Sequence, residues 1–196
     1  IGAGLYFYPQ FPERVASHWS AEGEVDGYMD KFWGVFLLPI VMSCMFLLYF
    51  VIPKIEPLQK NLQAFRKHYN MFWIVIMLFF LYVFMLSLAW NLGKRFDFVL
   101  LLVPAFAILW YCIGILLGKA KQNWFVGIRT PWTLLNERVW NKTHKLGSKF
   151  FKMSSLVIVS GLFVPQFAVH IIVFCGVGSA LFLVVYSYLE YRKLQK

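Results

Sequence analysis

Four long runs along the chain contain no Asp, Glu, Lys or Arg. They are residues 32–52, 69–93, 98–118 and 153–189. A helix needs about 20 apolar residues to cross a hydrocarbon core that is about 30 Å thick. The first three runs each fit one such helix. The fourth is too long for one, and Pro165-Gln166 is its natural turn because proline breaks a helix and glutamine is polar. The pattern therefore predicts five complete membrane spans.

The first residues, 1–7, are also apolar, but they are too few to span a membrane. We expect them to be the tail of a first transmembrane helix, although a chain cleaved before Ile1 would begin in the same way. The predicted fold class is therefore all-α. It is a multi-pass helical membrane protein with five complete spans and the tail of a sixth, N-terminal span.

The composition agrees with this class. Hydrophobic residues make up 60% and charged residues 14% of the chain. A soluble domain carries about a quarter charged residues. Cys44, Cys112 and Cys175 lie in apolar runs at spacings that match no metal motif, so we expect them to pack as small apolar side chains.

The net charge of +10 is distributed unevenly along the chain. Segments 53–68, 119–152 and 190–196 carry 15 of the 19 basic residues, and their alternation with the spans puts all three on one side. The positive-inside rule predicts that this side is cytoplasmic. Topology and anionic lipid headgroups explain the charge, so no nucleic-acid partner is indicated. An acidic cytoplasmic protein is the alternative partner for the basic loops.

The spans and polar segments together predict the organisation of the chain. It consists of a span tail (1–7), an extracytoplasmic cap (8–31), three spans (32–118) with a cytoplasmic connector (53–68), a cytoplasmic loop with a short amphipathic helix (119–149), two spans (150–189) and a cytoplasmic tail (190–196).

The extracytoplasmic cap contains turn signals and several titratable residues. Gly23 and Asp26 mark turns. His18 with Asp26 or Glu24 could form a metal site or an acid–base pair. A zinc site normally needs three or four ligands, and the cap has only one histidine. We therefore predict no metal, and a cap that is structural or receives a ligand.

The cytoplasmic loop has helix boundary signals. Thr130 can cap a helix, Pro131 fits its first turn, and Gly147 can end it. An interfacial amphipathic helix, with tryptophans at the headgroups and snorkelling lysines, is one interpretation of this segment.

The polar residues of the loop favour a more specific site. Glu137, Trp140 and His144 share one face of the predicted helix, and Arg129 could pair with Glu137 or with a lipid phosphate. An interfacial helix needs none of these residues. The candidate functional residues of the loop are Asn123, Gly127, Arg129, Thr130, Pro131, Trp132, Glu137, Trp140, Thr143 and His144.

The sequence contains no motif of a known catalytic site. It has no Walker loop, His-Glu-x-x-His, Gly-x-Ser-x-Gly or Cys-x-x-Cys. The predicted spans also lack the charged residues that mark ion or proton pathways, and His170 is expected near the outer end of the last helix. We therefore predict no cofactor, and a protein that is not an enzyme.

Two segments resemble known families. The loop NWFVGIRTPWTLLNERVWNKTHKLG resembles the signature of SdpI-type membrane proteins, the immunity family for a secreted bacterial killing peptide. The cap YPQFPERVASHWSAEGEVDGYMDK resembles the domain of unknown function that commonly precedes that region. The cap positions that match, and that become candidate ligand residues, are Tyr8, Pro9, Pro12, His18, Trp19, Gly23, Asp26 and Lys31.

The resemblance implies a multi-pass plasma-membrane protein that protects its host from a secreted, membrane-active peptide toxin. In some settings such a protein also reports the peptide to a cytoplasmic regulatory protein. A membrane enzyme or small-solute carrier that uses Arg129, Glu137 and His144 is the first alternative. The second is a lipid-binding scaffold, for which any basic amphipathic loop would suffice.

Overall fold

The computed structural model describes residues 1–195, so that Lys196 of the predicted tail lies outside the described residues. The elements are α1 (Gly2–Phe7), β1 (Arg14–Trp19), β2 (Val25–Asp30), α2 (Lys31–Ile55), α3 (Gln59–Ala64), α4 (Arg66–Asn91), α5 (Phe98–Leu117), α6 (Pro131–Leu135), α7 (Glu137–Val159) and α8 (Ala168–Arg192). Short 3-10 turns occupy Tyr8–Gln10, Ser160–Leu162 and Pro165–Phe167.

Four helical segments are long and apolar enough to cross a membrane. They are α2, α4, α5, and α8 together with the preceding turn, Pro165–Arg192. Their hydrophobic side chains largely face outward; Phe174 of α8, for example, is 76% exposed. Side chains of this kind would be unfavourable in water and favourable in lipid. The molecule is therefore a mostly helical, multi-pass membrane protein.

Helix α7 packs between α5 and α8. At Gly114 of α5 the two helices approach so closely that a Cβ atom would lie 3.0 Å from the Ser148 carbonyl oxygen of α7. Further along, Ile158 packs in one buried cluster with Val103 of α5 and Ala168 of α8. Glycine at such contacts lets helix backbones pack closely. Helix α7 thus runs beside α5 from Ser148 to Ile158.

The predicted all-α class is wrong for part of the cap. Residues 14–30 form an antiparallel β-hairpin, in which Arg14 pairs with Asp30 and the register is irregular between Ala16 and Trp19. Gly23 has a φ of 83° in the connecting turn, a conformation that glycine adopts without strain. Val15 is buried, and its strand neighbour Arg14 is exposed. Ala16 is buried as well, so the strand packs on the helices without a strict alternation of buried and exposed residues.

The helix of the central loop also differs from the prediction. It is broken at Asn136, whose φ of −143° and ψ of 118° are extended and whose side chain caps α7. Helix α7 then passes through Gly147 and continues to Val159. A Cβ atom at Gly147 would lie 2.7 Å from Ile128 Cδ1. Glycine is present here because of this close packing, so it does not end the helix.

Candidate functional site

Asn123 organises the loop between α5 and α6. Its side chain is completely buried. Its Nδ2 donates to the carbonyl oxygens of Lys121 and Val126, both at 2.8 Å. Its Oδ1 accepts from the N–H groups of Phe125 and Val126, at 2.9 and 2.6 Å. All four hydrogen bonds are local, so Asn123 fixes the loop conformation and has no capacity left for a ligand.

His144 joins this loop to α7. Its ring is 2% exposed and stacks on Trp140 with centroids 3.8 Å apart. Nδ1 lies 2.9 Å from the Trp140 carbonyl oxygen, and Nε2 accepts from the Ile128 N–H at 3.0 Å. These partners require a neutral ring with its proton on Nδ1. Burial lowers the pKa of His144 to about 4, although the bond to the Trp140 carbonyl opposes that shift.

The turn before α6 is held by hydroxyl groups. Thr130 and Thr133 form a reciprocal capping box, with Pro131 in the first turn as the sequence predicts. Thr133 Oγ1 donates to the Ile128 carbonyl at 2.8 Å. Thr130 Oγ1 lies 3.0 Å from Ser187 Oγ, which attaches this turn to α8.

Aromatic contacts complete the attachment of the loop. Trp132 packs against Tyr188 of α8 with ring centroids 5.1 Å apart. Trp140 is fully buried, and its Nε1 donates to the Ala120 carbonyl at 3.0 Å. Gly127 has a φ of 120°, and a Cβ atom there would collide with His144 Nε2. Only glycine therefore fits beside the histidine.

The structure does not bring Arg129, Glu137 and His144 together. Arg129 Nη1 donates to the Trp124 carbonyl at 2.8 Å, and Glu137 is exposed in the first turn of α7. No hydrogen bond or ion pair joins these three side chains within residues 1–195. The neighbouring Thr143 is buried, and its hydroxyl has no hydrogen-bond partner among the described residues.

Sequence reasoning missed two buried carboxylates. Glu56 is 1% exposed and accepts from the N–H groups of Leu58 and Trp124, at 2.9 and 3.0 Å, which ties the 53–68 connector to the loop. Glu190 is 4% exposed and accepts from Lys142 at 2.5 Å and Lys193 at 2.6 Å. Each is a lone acid in a basic segment, and that isolation is the signal that could have identified them.

At the other end of the molecule, the hairpin is docked on the helices by Asn91. Its Oδ1 accepts from the Ala16 N–H at 2.8 Å, and its Nδ2 donates to the Ala16 carbonyl at 3.0 Å. Val15 of β1 is 1% exposed and packs in a cluster with Val35 of α2 and Leu88 of α4. The hairpin is therefore fixed to α2 and α4, a role of Asn91 that the sequence did not suggest.

His18 and Asp26 meet on the outer surface of the hairpin. Nδ1 of His18 lies 2.5 Å from Asp26 Oδ1, but the side chains are 71% and 49% exposed. Residues 1–195 contain no group of three or more His, Cys, Asp or Glu side chains that could hold a metal ion. Water competes for such an exposed pair, so it can contact a ligand but contributes little to folding.

Trp19 is the last residue of β1, next to the hairpin turn, and it packs against α4 and α5. It stacks on Phe98 of α5 with centroids 3.8 Å apart and contacts Trp90 of α4 edge-on at 6.0 Å. Its Nε1 is buried and has no hydrogen-bond partner within the described residues. Burying an N–H group without a hydrogen-bond acceptor costs free energy. This N–H group is therefore free to donate to an acceptor from outside the chain.

The other cap positions form its edge. Lys31 lies over the Tyr8 ring at 4.8 Å from the centroid. Pro9 lies in the 3-10 turn that follows α1, and Pro12 is exposed where the chain enters β1. The structure therefore gathers the cap candidates on one end of the molecule and the loop candidates on another part, held by α7 and α8.

Comparison with known proteins identifies both regions. Residues 119–188 match the SdpI/YfhL protein family, and residues 1–43 match a domain of unknown function, DUF1648. The immunity protein SdpI of Bacillus subtilis (strain 168) is 27% identical over 192 residues, which cover 97% of this chain and 89% of that protein. No solved structure gives a significant match. The chain therefore contains a region of the SdpI/YfhL protein family, preceded by a DUF1648 region at its N-terminal end.

Proposed function

We propose that this protein is a membrane immunity protein, which protects the cell that makes it from a secreted, membrane-active peptide. The observation that carries the proposal is the similarity to an immunity protein along 97% of the chain. The aligned region includes both the hairpin and the central loop. A shared function is therefore a better explanation than a shared span pattern alone.

The proposed topology has five complete spans, with α7 as the fourth of them. Helix α7 runs beside α5 as far as Ile158, which supports its assignment as a span. This assignment stands although the first half of α7 is basic. Lys142, Lys145 and Lys149 all lie on its exposed surface. We assign this basic end to the cytoplasm, where anionic lipid headgroups would attract it.

In this orientation the hairpin faces the outside of the cell. A secreted peptide reaches that surface first, so we assign peptide contact to the hairpin and the outer ends of the helices. The central loop (residues 119–149) has exposed apolar side chains, including Trp124, which is 52% exposed, and Leu135, which is 73% exposed. We assign to this surface the contact with a cytoplasmic regulatory protein. Through this contact the presence of the peptide would be signalled to the regulator.

Survival of a peptide-sensitive bacterium tests the proposed function. Cells that produce the protein are challenged with the secreted killing peptide, beside cells that produce the same amount of an unrelated multi-pass protein. We expect survival only with the former. Equal killing of both, with the protein present in the membrane and folded, would contradict the proposal.

A replacement of the central loop tests the role of its specific residues. Residues 119–149 are exchanged for a basic amphipathic helix of equal length. We expect protection to disappear, because Asn123 fixes the loop conformation and His144 joins the loop to α7, both by buried hydrogen bonds. Full protection by the exchanged chain would instead support a lipid-binding scaffold.

A further inference from the structure

An apolar groove of about 360 Å³ lies beneath the hairpin. This volume is within the range of about 300–1,000 Å³ that is typical of ligand pockets. Five elements contribute to it, and we call it the outer groove. Its lining includes Trp19 of β1, Leu38 of α2, Val83 and Ser87 of α4, Leu102 of α5 and Val173 of α8.

One residue that lines the outer groove, Trp19, carries an unused hydrogen-bond donor. Its Nε1 is buried without a partner within residues 1–195. The ring itself is held in place by its stack on Phe98 at 3.8 Å. A ligand that offers a carbonyl oxygen could satisfy this donor, whereas a hydrocarbon chain could not.

The rim of the groove is acidic. The hairpin turn and the start of β2 carry Glu22, Glu24 and Asp26, and no Lys or Arg occurs between residues 20 and 26. Asp97 adds a carboxylate beside this turn, 3.4 Å from the Cβ position of Gly23. The nearby Arg95, whose guanidinium lies over Trp90 at 4.8 Å from the ring centroid, still leaves the four carboxylates in excess. A negative rim of this kind favours a cationic ligand.

We propose that the outer groove holds the apolar segment of a cationic amphipathic peptide. A main-chain carbonyl of the peptide accepts from Trp19 Nε1, and its basic side chains lie over the carboxylates of the rim. The proposal that this peptide is the harmful one rests on the proposed function. An anionic lipid is a poorer occupant, since its headgroup would be repelled by the carboxylates of the rim.

Two valines of α8 provide a matched pair of variants. Val173 lines the outer groove and is 54% exposed. Val177 is one turn further along the same helix, is 55% exposed, and does not belong to the lining. Val173→Phe fills the groove, while Val177→Phe adds the same side chain to a lipid-facing surface beside it. Both variants are expected to fold like the original chain.

The binding experiment uses the full chain in phosphatidylcholine nanodiscs. The probe is a synthetic 20-residue Leu/Lys amphipathic helix with a fluorophore and a photoreactive benzophenone side chain. We expect Val173→Phe to weaken binding at least about tenfold, because the added ring overlaps the bound side chains. Val177→Phe should leave the affinity within about twofold, as an exposed substitution does. Trp19→Phe, which keeps the ring but removes the donor, should weaken binding about fivefold.

The charge of the rim is tested with a triple variant, Glu22→Gln/Glu24→Gln/Asp26→Asn. We expect about tenfold weaker probe binding at low salt and a flatter dependence on salt concentration, since exposed charges are screened by salt. Photocrosslinks should map to the groove-lining segments of α4, α5 and α8. Equal affinity of Val173→Phe and the original chain, or crosslinks confined to other segments, would overturn the proposal.

A photoreactive phosphatidylcholine in the same nanodiscs tests the lipid alternative. The proposal would also be overturned if this lipid labels the groove and the peptide probe cannot displace it.

Survival assays separate the groove proposal from the proposed immunity function. If the original chain binds the probe in the groove but fails to protect cells, only the proposed function is lost. If it protects cells and Val173→Phe binds the probe normally, only the groove assignment is lost.

Discussion

The central loop and the outer hairpin use polar residues in opposite ways. In the loop, Asn123 and His144 are buried, and every hydrogen-bonding group of their side chains has a partner within the chain. In the hairpin, His18 and Asp26 are exposed to solvent, and Trp19 keeps a buried donor without a partner. Asn123 and His144 are thus explained by folding, whereas these hairpin residues retain capacity for a ligand.

This difference teaches that a specific sequence motif need not be a binding site. The loop is the more distinctive segment in sequence, yet the polar groups of Asn123 and His144 are all hydrogen-bonded within its own structure. A buried and fully hydrogen-bonded group affects function mainly through stability. An exposed or unpartnered group can be removed with little effect on folding. The four predictions below test this separation.

Asn123→Ala should have the largest effect on folding. The change leaves two N–H groups and two carbonyl groups of the buried loop without partners, so we expect a loss of about 3 kcal/mol or more in the free energy of unfolding. Thermal unfolding in detergent measures it. Asn141→Ala is the control, because Asn141 is exposed on α7. Equal destabilisation by Asn123→Ala and Asn141→Ala would contradict the structural role of the buried Asn123 side chain.

Acid should weaken the fold through His144. The unfolded chain binds a proton at this residue below pH 6.5, whereas the folded chain keeps it neutral down to about pH 4. Its stabilising contribution is therefore complete above pH 6.5 and is lost as the pH falls toward 4. The slope should approach about 1.4 kcal/mol per pH unit within that window.

Denaturation at several pH values in this window measures the slope for the original chain and for His144→Gln. We expect a shallower slope for the variant, whatever its stability at neutral pH, because glutamine does not titrate. Identical slopes would mean that another group causes the acid sensitivity.

Gly127→Ala should cost about 2 kcal/mol. The backbone has a positive φ, which costs about 1 kcal/mol for alanine, and the new methyl group would also overlap His144 Nε2. Gly93→Ala separates the two causes. Gly93 has a φ of 92°, but nothing lies within 4 Å of its Cβ position. If Gly127→Ala and Gly93→Ala lower the free energy of unfolding by the same amount, the contact between residue 127 and His144 does not add to the cost.

His18→Ala should have the smallest effect on folding, within about 0.5 kcal/mol, because the pair with Asp26 is largely exposed. Asp26→Ala should behave in the same way. Unfolding measurements on both single variants and on the double variant check this. A coupling energy well above 1 kcal/mol would show that the hairpin, like the loop, depends on its polar pairs.

The spans were the most predictable part of the fold. An uncharged run of about 20 residues has few alternatives to a membrane helix, and α2, α4 and α5 follow the predicted runs closely. Helix α7 was harder to predict, because its apolar second half follows a basic first half in the same helix. The predicted boundary between loop and span at residue 150 does not correspond to a helix end.

The hairpin was missed because its causes are distant in sequence. Two short strands are marginal alone, and these are held by Asn91, which is 75 residues from its partner Ala16. Gly147 was misinterpreted for a related reason. Its local pattern suits a helix end, but its packing against Ile128 is visible only in three dimensions.

The candidate site was predicted as a set of residues and not as an arrangement. The capping role of Thr130 and Pro131 follows from local chemistry and was found in the structure. The shared face of Glu137, Trp140 and His144 suggested a site, but Trp140 and His144 face the core while Glu137 is exposed. Periodicity predicts which residues neighbour each other on a helix, but not which neighbours are covered by other elements.

Survival per folded molecule after peptide challenge tests the account most directly, with Trp19→Phe and Gly127→Ala measured side by side. Folded protein is quantified by size-exclusion chromatography of detergent extracts. We expect Gly127→Ala to lower survival only as far as it lowers the amount of folded protein. Trp19→Phe should lower protection per folded molecule about fivefold. A well-folded Gly127→Ala protein that fails to protect, or full protection by Trp19→Phe, would contradict the separation of a structural loop from a ligand-binding hairpin.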